Sequence, residues 1–214
     1  MVVLVSLIAW QCCVGQGAPS VGTTLFVLDG NRMYAELGFV RPDGSIHRAL
    51  AFVDMGTPSM YVVESLLREL QVDNKKPLVF RVGTLQIEVP ATKVISQPQT
   101  PRSMGSELKV EGILPAGVLQ DYQVVIDYEK RTLTLAQSGA LKPHGIPVPF
   151  HINEKTGLIA VDASIDGGRY AITIDNGSAY TWFRQSATKP WLASHPAWNR
   201  GVGAVGPSNM RRSS

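Results

Sequence analysis

Short apolar runs separated by turn residues fill most of the chain, and this pattern is typical of a β-rich protein. Residues 23–28, 32–40 and 45–53 read as strands, and the turns between them contain Asp-Gly pairs. The last of these strands runs directly into a carboxylate, Asp54, and a glycine follows two positions later in "AFVDMGTPSMYV". The pattern therefore predicts a group of strands that ends at Asp54.

The next part of the chain contains the one predicted helix and two predicted strand pairs. Residues 62–72, "VVESLLRELQV", place valines and leucines on one helical face. Residues 77–95 read as a hairpin that turns at a Gly-Thr pair, and residues 122–136 read as a second pair of strands. Between them, the polar and proline-containing segment 96–106 reads as a loop.

The second half of the chain begins the same order of elements again. Strands are predicted at 147–152, 157–165 and 169–174, with an Asp-Gly-Gly turn before the last strand and Asp175 after it. The segment "RALAFVDMGT" of the first half aligns without a gap on "RYAITIDNGS" of the second half. An internal repeat of this kind predicts two lobes related by a pseudo-twofold axis.

We therefore expect an all-β fold with two lobes. The predicted segments are a signal peptide at 1–18, a first lobe at 22–137, a linker at 138–146 and a partial second lobe at 147–214. A chain of 214 residues that is 44% hydrophobic and 17% charged can bury a core. The net charge is +3 with no basic cluster, which argues against a nucleic-acid partner.

The N-terminal segment reads as an export signal. The apolar run "VVLVSLIA" is followed by small residues where a cleavage site would lie, although no Lys or Arg precedes the run. The run is too short to anchor the chain in a membrane, so the predicted location is periplasmic or extracellular. Cys12 and Cys13 lie inside this segment, and the exported protein would contain no cysteine.

The two aspartates carry the candidate chemistry. Two carboxylates at a pseudo-twofold axis can share one proton, because like charges at close range split their pKa values. One then acts as a base and the other as an acid on a water between them, and neither a metal nor a cofactor is needed. The flanking residues suit this chemistry. Glycine allows close backbone approach, and a hydroxyl three positions after each aspartate can bond its carboxylate, as in the pairs Gly56 with Thr57 and Gly177 with Ser178.

At these residues the chain resembles a known family. "VDMGTPS" and "IDNGSAY" look like the Asp-Thr-Gly-Ser/Thr loops of aspartic proteases, and residues 111–135 are similar to the segment that follows the Ile-Leu-Gly motif in retropepsin-like proteases. The resemblance implies closed β-barrel-like lobes with one short helix, a catalytic pair at Asp54 and Asp175, and peptide or protein substrates. It also implies that the 77–95 hairpin is a substrate-covering flap.

The chain departs from that family at several positions. Met55 and Asn176 stand where the family has threonines that link the two loops across the axis, and Asn176 alone can donate such a bond. Pro115 replaces a glycine of the later motif. Only 214 − 175 = 39 residues follow Asp175, which leaves no room for a second copy of that motif.

Three hypotheses follow from these observations. The first is an endopeptidase that acts through Asp54 and Asp175. The second is an inactive or truncated protease-like protein that at most binds peptides. The third is a homodimer through the first lobe, in which two copies of Asp54 meet. Other candidates are weak: "GVGAVG" follows no clear strand, and the four histidines lack the spacing of metal ligands, namely His47, His144, His151 and His195.

Overall fold

The computed structural model describes residues 19–73, 75–99, 108–142, 145–165, 167–178, 193, 204–206 and 209–211. The predicted signal peptide, most of the 96–106 loop and the tryptophans that follow Ser178 lie outside the described residues. The described chain is mostly β-sheet with two short α-helices, so the all-β prediction is confirmed. No helix among these residues is long and apolar enough to cross a membrane.

The larger sheet contains ten strands, all of which lie between Val21 and Ala136. Eight of them lie in the order β7-β4-β8-β3-β2-β1-β10-β9, and a hairpin of β5 and β6 branches from β2. The strands are β1 (Val21–Asp29), β2 (Arg32–Val40), β3 (Ile46–Asp54), β4 (Met60–Val63), β5 (Leu78–Val82), β6 (Leu85–Val89), β7 (Val94–Gln97), β8 (Val110–Pro115), β9 (Gln123–Asp127) and β10 (Thr132–Ala136).

The expected closed barrel is not found among the described strands, and this part of the fold prediction is wrong. Closure would require the two ends of the strand order to pair, but β7 pairs only with β4 and β9 pairs only with β10. The Gln123 side chain, on β9, exchanges two hydrogen bonds with the backbone of Leu141, at 2.9 and 3.2 Å. These bonds hold the segment after β10 against β9.

Two parallel strand pairs interrupt the otherwise antiparallel sheet. Strand β3 runs parallel to β8, and β4 runs parallel to β7. Because β3 and β8 point the same way, their carboxyl ends meet, and Asp54 lies beside Pro115 in the register. The segments that follow β3 and β8 therefore leave the sheet side by side. The loop that begins at Asp54 starts there.

The predicted helix is shorter than expected. Helix α1 spans Glu64–Glu69, and the two valines before it belong to β4, where β7 and β8 supply ladder partners. β-branched residues suit a strand as soon as such partners exist. The predicted apolar face is nevertheless buried, since Leu66, Leu67 and Leu70 are all under 9% exposed. A second helix, α2 (Ala116–Leu119), was not predicted, because four residues after a proline carry no periodic signal.

The predicted hairpin forms and packs into the main hydrophobic core of the larger sheet. Alternate residues of β5 and β6 are at most 2% exposed, and they belong to the main hydrophobic cluster. The turn lies against β1, where the Thr84 hydroxyl donates to the Val21 carbonyl at 3.0 Å. The contacts described for this hairpin are structural, and its role as a flap stays a prediction.

A separate three-stranded antiparallel sheet follows, in the order β11-β12-β13. Its strands are β11 (Phe150–Ile152), β12 (Ile159–Ile165) and β13 (Gly168–Thr173). Their register gathers apolar side chains on one face, and Phe150 is 56% exposed while Ile152 and Ile174 are each 39% exposed. A further short pair joins β14 (Ala204–Gly206) to β15 (Asn209–Arg211). Strands β11, β12 and β13 therefore pair in chain order, as β1, β2 and β3 do in the larger sheet, but without a comparable buried core among the described residues.

Candidate functional site

The structure brings the two repeated Asp-x-Gly loops together. Asp54 is the last residue of β3, and Asp175 lies just after β13, where the Ile174 N–H still donates to the Ile159 carbonyl at 2.8 Å. Each aspartate thus stands at the end of a paired strand, which fixes the backbone that carries it. Asp54 is half-buried and Asp175 is exposed.

Each loop glycine lies against the carboxylate of the other loop. A Cβ atom on Gly56 would lie under 3.0 Å from the Asp175 carboxylate, and one on Gly177 would lie equally close to Asp54 Oδ1. Side chains essentially never approach at that distance, so only glycine fits at either position. The sequence predicted that these glycines permit close approach, and the structure adds that the approach is reciprocal between loops.

Backbone N–H groups hold both carboxylates. The Gly56 N–H donates to Asp54 Oδ1 at 2.9 Å, and the Gly177 N–H donates to Asp175 Oδ1 at 2.9 Å. Asp175 Oδ1 also accepts the Ser178 N–H at 3.2 Å. In each loop, backbone N–H groups of the following residues therefore fix the orientation of the aspartate carboxylate. The predicted hydroxyl bonds from Thr57 and Ser178 stay predictions.

Asn176 links the second loop to the first on both sides of Asp54. Its Oδ1 accepts the Met55 N–H at 2.9 Å, and its Nδ2 donates to the Val53 carbonyl at 3.1 Å. The partners fix the orientation of the amide, because an N–H needs the oxygen and a carbonyl needs the nitrogen. The Met55 side chain has no hydrogen-bond donor and packs against the core cluster instead. Only the second loop therefore contributes a side chain to the hydrogen bonds between the loops, and the first loop contributes backbone groups.

The β8–α2 junction braces the first loop from below. The Ala116 N–H donates to the Thr57 carbonyl at 3.0 Å, directly after Pro115, which is buried at the end of β8. Proline has no N–H, so the next residue along the chain supplies the donor. The loop after Asp54 thus keeps a backbone donor beneath it although Pro115 itself has none. Sequence reasoning missed Ala116, because a backbone donor leaves no signal in residue type.

The surroundings of Asp54 favour its protonated form. Burial raises the pKa of the Asp54 carboxyl, and the charge of Asp175 and a hydrogen bond with it act in the same direction. The Gly56 N–H opposes the increase in this pKa, but does not cancel it. The pair can therefore hold a proton on Asp54 at a pH where an ordinary aspartate has lost it.

Comparisons with known proteins leave the family open. The chain matches no protein-family model, and no curated protein matches it at a significant level. Within the part of the chain that the structure describes, no group of three or more His, Cys, Asp or Glu side chains could hold a metal ion.

Proposed function

We propose that the protein is an aspartic-type endopeptidase that hydrolyses peptide bonds through Asp54 and Asp175. The observation that carries this proposal is the reciprocal packing of the two loops, in which each glycine lies against the other loop's carboxylate. Two turn aspartates with purely structural roles would have no reason to converge. Their convergence leaves two carboxyl groups and one shared proton at a surface that a peptide can reach.

The two aspartates have different roles in this mechanism. Asp54 is the neutral member, since burial and the neighbouring carboxylate raise its pKa. Asp175 is the base of the pair, because it is exposed to an approaching water and two backbone N–H groups hold its Oδ1 in place. The proton belongs to the pair, so any measured titration reports the pair and not one residue.

Peptide hydrolysis would proceed by general acid–base catalysis. Asp175 removes a proton from a water held between the carboxyl groups, and the resulting hydroxide attacks the peptide carbonyl carbon. Asp54 gives its proton to the carbonyl oxygen, which yields a neutral tetrahedral diol. Asp175 then gives the proton it took from water to the leaving nitrogen while Asp54 takes a proton from a diol hydroxyl, so the C–N bond breaks to an acid and an amine and the pair again holds one proton, on Asp54. This scheme needs no covalent intermediate.

The pH dependence follows from the sign of the Asp54 shift. A raised pKa keeps Asp54 protonated to higher pH than an ordinary aspartate, and cleavage is lost when this proton leaves. Cleavage is lost again at low pH, when the pair holds two protons and neither carboxyl group can act as the base. We therefore expect a bell-shaped profile on the acid side of neutrality.

The experiment is cleavage of an unfolded protein substrate between pH 3 and pH 7, with cleaved bonds identified by mass spectrometry. A matched control is Asp162→Asn, which changes an exposed strand aspartate whose side chain is 75% accessible and should leave the profile unchanged. A flat profile, or one in which cleavage still rises at pH 7, would contradict the assignment of the aspartates.

A second candidate is a peptide-binding protein that does not cleave. Two observations favour it: Met55 makes the loop link one-sided, and the apolar face of the β11–β13 sheet is incompletely buried. Under this hypothesis a folded protein would bind unfolded polypeptides in a calorimeter but release no fragments. The homodimer hypothesis has less support, because Asp175 of the same chain already occupies the place of a second Asp54.

A further inference from the structure

The turn between β11 and β12 lies against helix α2, which follows β8 of the larger sheet. Gly157, in this turn, is buried and has a φ of +73°, in the left-handed region. A Cβ atom at this position would lie 2.8 Å from the Ala116 carbonyl oxygen and 2.9 Å from the Gly117 Cα atom. Both are backbone atoms, which cannot move aside as the end of a flexible side chain could. Position 157 therefore requires glycine because of its surroundings as well as its backbone conformation.

The start of α2 is also the segment that supports the loop after Asp54. The Ala116 N–H donates to the Thr57 carbonyl at 3.0 Å, and Ala116 is only 2% exposed. A Cβ atom on Gly117 would overlap the Pro58 carbonyl oxygen, so this residue packs directly against the loop as well. The start of α2 thus contacts both the loop after Asp54 and the β11–β12 turn.

Hydrogen bonds within the turn make it a rigid contact. The Asn153 carbonyl accepts the Thr156 N–H at 3.1 Å and the Gly157 N–H at 2.7 Å. The Asn153 Oδ1 atom accepts the N–H groups of Lys155 at 3.1 Å and of Thr156 at 3.2 Å. The Asn153 N–H in turn donates to the Leu158 carbonyl at 2.9 Å. The turn therefore holds Gly157 in a fixed place relative to β11 and β12.

The same end of the three-stranded sheet carries the loop of Asp175. Strand β12 begins at Ile159, just after the turn, and the Ile159 carbonyl accepts the Ile174 N–H at 2.8 Å. Ile174 directly precedes Asp175 in the chain. This end of the sheet thus meets α2 through Gly157 and meets the other loop through Asp175, which lies against Gly56. Contact at both places fixes the tilt of the sheet, whereas the loop contact alone would let it pivot.

We propose that Gly157 is a positioning residue, which docks the β11–β12 turn on α2 and so sets how closely the loop of Asp175 approaches that of Asp54. The positioned groups are the proposed catalytic pair, so the role in catalysis rests on the proposed function.

A simpler explanation is that position 157 needs glycine only for its left-handed backbone. Gly167 separates the two explanations. It has a φ of +77° in the β12–β13 turn of the same sheet, and among the described residues only its chain neighbours lie within 4 Å of the place of its Cβ. Alanine at either position meets the same backbone strain, but only at position 157 does it also push the turn away from α2.

The test is amide hydrogen exchange of the full chain in wild type, Gly157→Ala and Gly167→Ala. The Met55 N–H reports the approach of the loops, because it donates to Asn176 Oδ1 at 2.9 Å. We expect its exchange to be about tenfold faster in Gly157→Ala and within about twofold of wild type in Gly167→Ala. An unchanged Met55 rate in a folded Gly157→Ala protein, or an equal increase in both variants, would overturn the proposal.

Two variants of Asn153 keep the test decisive if Gly157→Ala fails to fold, because Asn153 is exposed. Asn153→Ala removes the Oδ1 acceptor and loosens the turn without adding atoms to the contact, so exchange at Met55 should be about fivefold faster. Asn153→Asp keeps an acceptor oxygen at the same place and should restore the wild-type rate. Equal Met55 rates in the two Asn153 variants would contradict the proposal.

The titration of Asp54 gives a readout that a purely structural role of Gly157 would not change. Burial raises the pKa of the Asp54 carboxyl group most, and the neighbouring Asp175 raises it further. If the loops separate, the carboxyl ¹³C titration of Asp54 should move to lower pH in Gly157→Ala and stay at the wild-type position in Gly167→Ala. The same midpoint in all three proteins would contradict the positioning role. Neither readout requires cleavage, so a protein that cleaves nothing can still confirm or overturn this role.

Discussion

Asn176→Ala should separate the two loops without removing either carboxylate. The substitution deletes the acceptor of the Met55 N–H and the donor to the Val53 carbonyl, at 2.9 and 3.1 Å. Val53 is fully buried, so water cannot readily replace the lost donor. At about 1 kcal/mol for each bond, the loss is about 2 kcal/mol, or roughly a thirtyfold increase in the opening of the loop pair.

The assay is amide hydrogen exchange at Met55, whose N–H reports the link directly. In Asn176→Ala we expect exchange roughly thirtyfold faster, with the core strands of the first lobe unchanged. Cleavage should fall in parallel, since misplacement of about 1 Å can cost about a hundredfold in rate.

Two further variants separate the two halves of the link. Asn176→Thr offers one hydroxyl that can accept from Met55 and donate to Val53, so it should retain most of the protection. Asn176→Asp can only accept, and it adds a negative charge beside the aspartates. If Met55 exchanges at the wild-type rate in Asn176→Ala, the described link does not hold the loops together.

The other predictions concern packing at the site and in the core. Gly177→Ala places a methyl group against Asp54 Oδ1 and should reduce cleavage by about a hundredfold while the far-ultraviolet circular dichroism spectrum is retained. Leu66→Ala empties a core position that is 1% exposed and should lower the free energy of unfolding by about 2–5 kcal/mol in urea titrations. Leu25→Ala, at a position 66% exposed, is its control and should change that free energy by less than about 0.5 kcal/mol. Equal effects of the two leucine variants would contradict the described core.

The strand pattern of both halves could be predicted because it is local. Turn residues and apolar runs delimit β1 to β3 closely, and the strand β2 (Arg32–Val40) matches its predicted range. The helix was predicted to start two residues too early. Val62 and Val63 belong to strand β4 instead, because β4 pairs with β7 and β8, which are distant in sequence. The sequence could not predict that the sheet is open either. Closure depends on whether the two end strands, β7 and β9, pair with each other, and no local pattern shows this.

The candidate site could be predicted to the level of residue type and no further. The repeat identified Asp54 and Asp175, but it did not show that each glycine packs against the other loop. The ability of Asn176 to donate was foreseen, whereas its second bond, to the Met55 N–H, depends on a backbone group that every residue carries.

The most direct test of the central proposal compares cleavage by wild type, Asp54→Asn, Asp175→Asn and the double variant in the acid range. Residues that act as one pair are not additive, so each single variant should lose at least about a hundredfold in rate, and the double variant should be no worse than either. Activity that survives in Asp175→Asn but not in Asp54→Asn would instead indicate a dimer of first lobes. A folded wild-type protein that cleaves nothing at any pH would contradict the enzyme proposal and leave a peptide-binding protein.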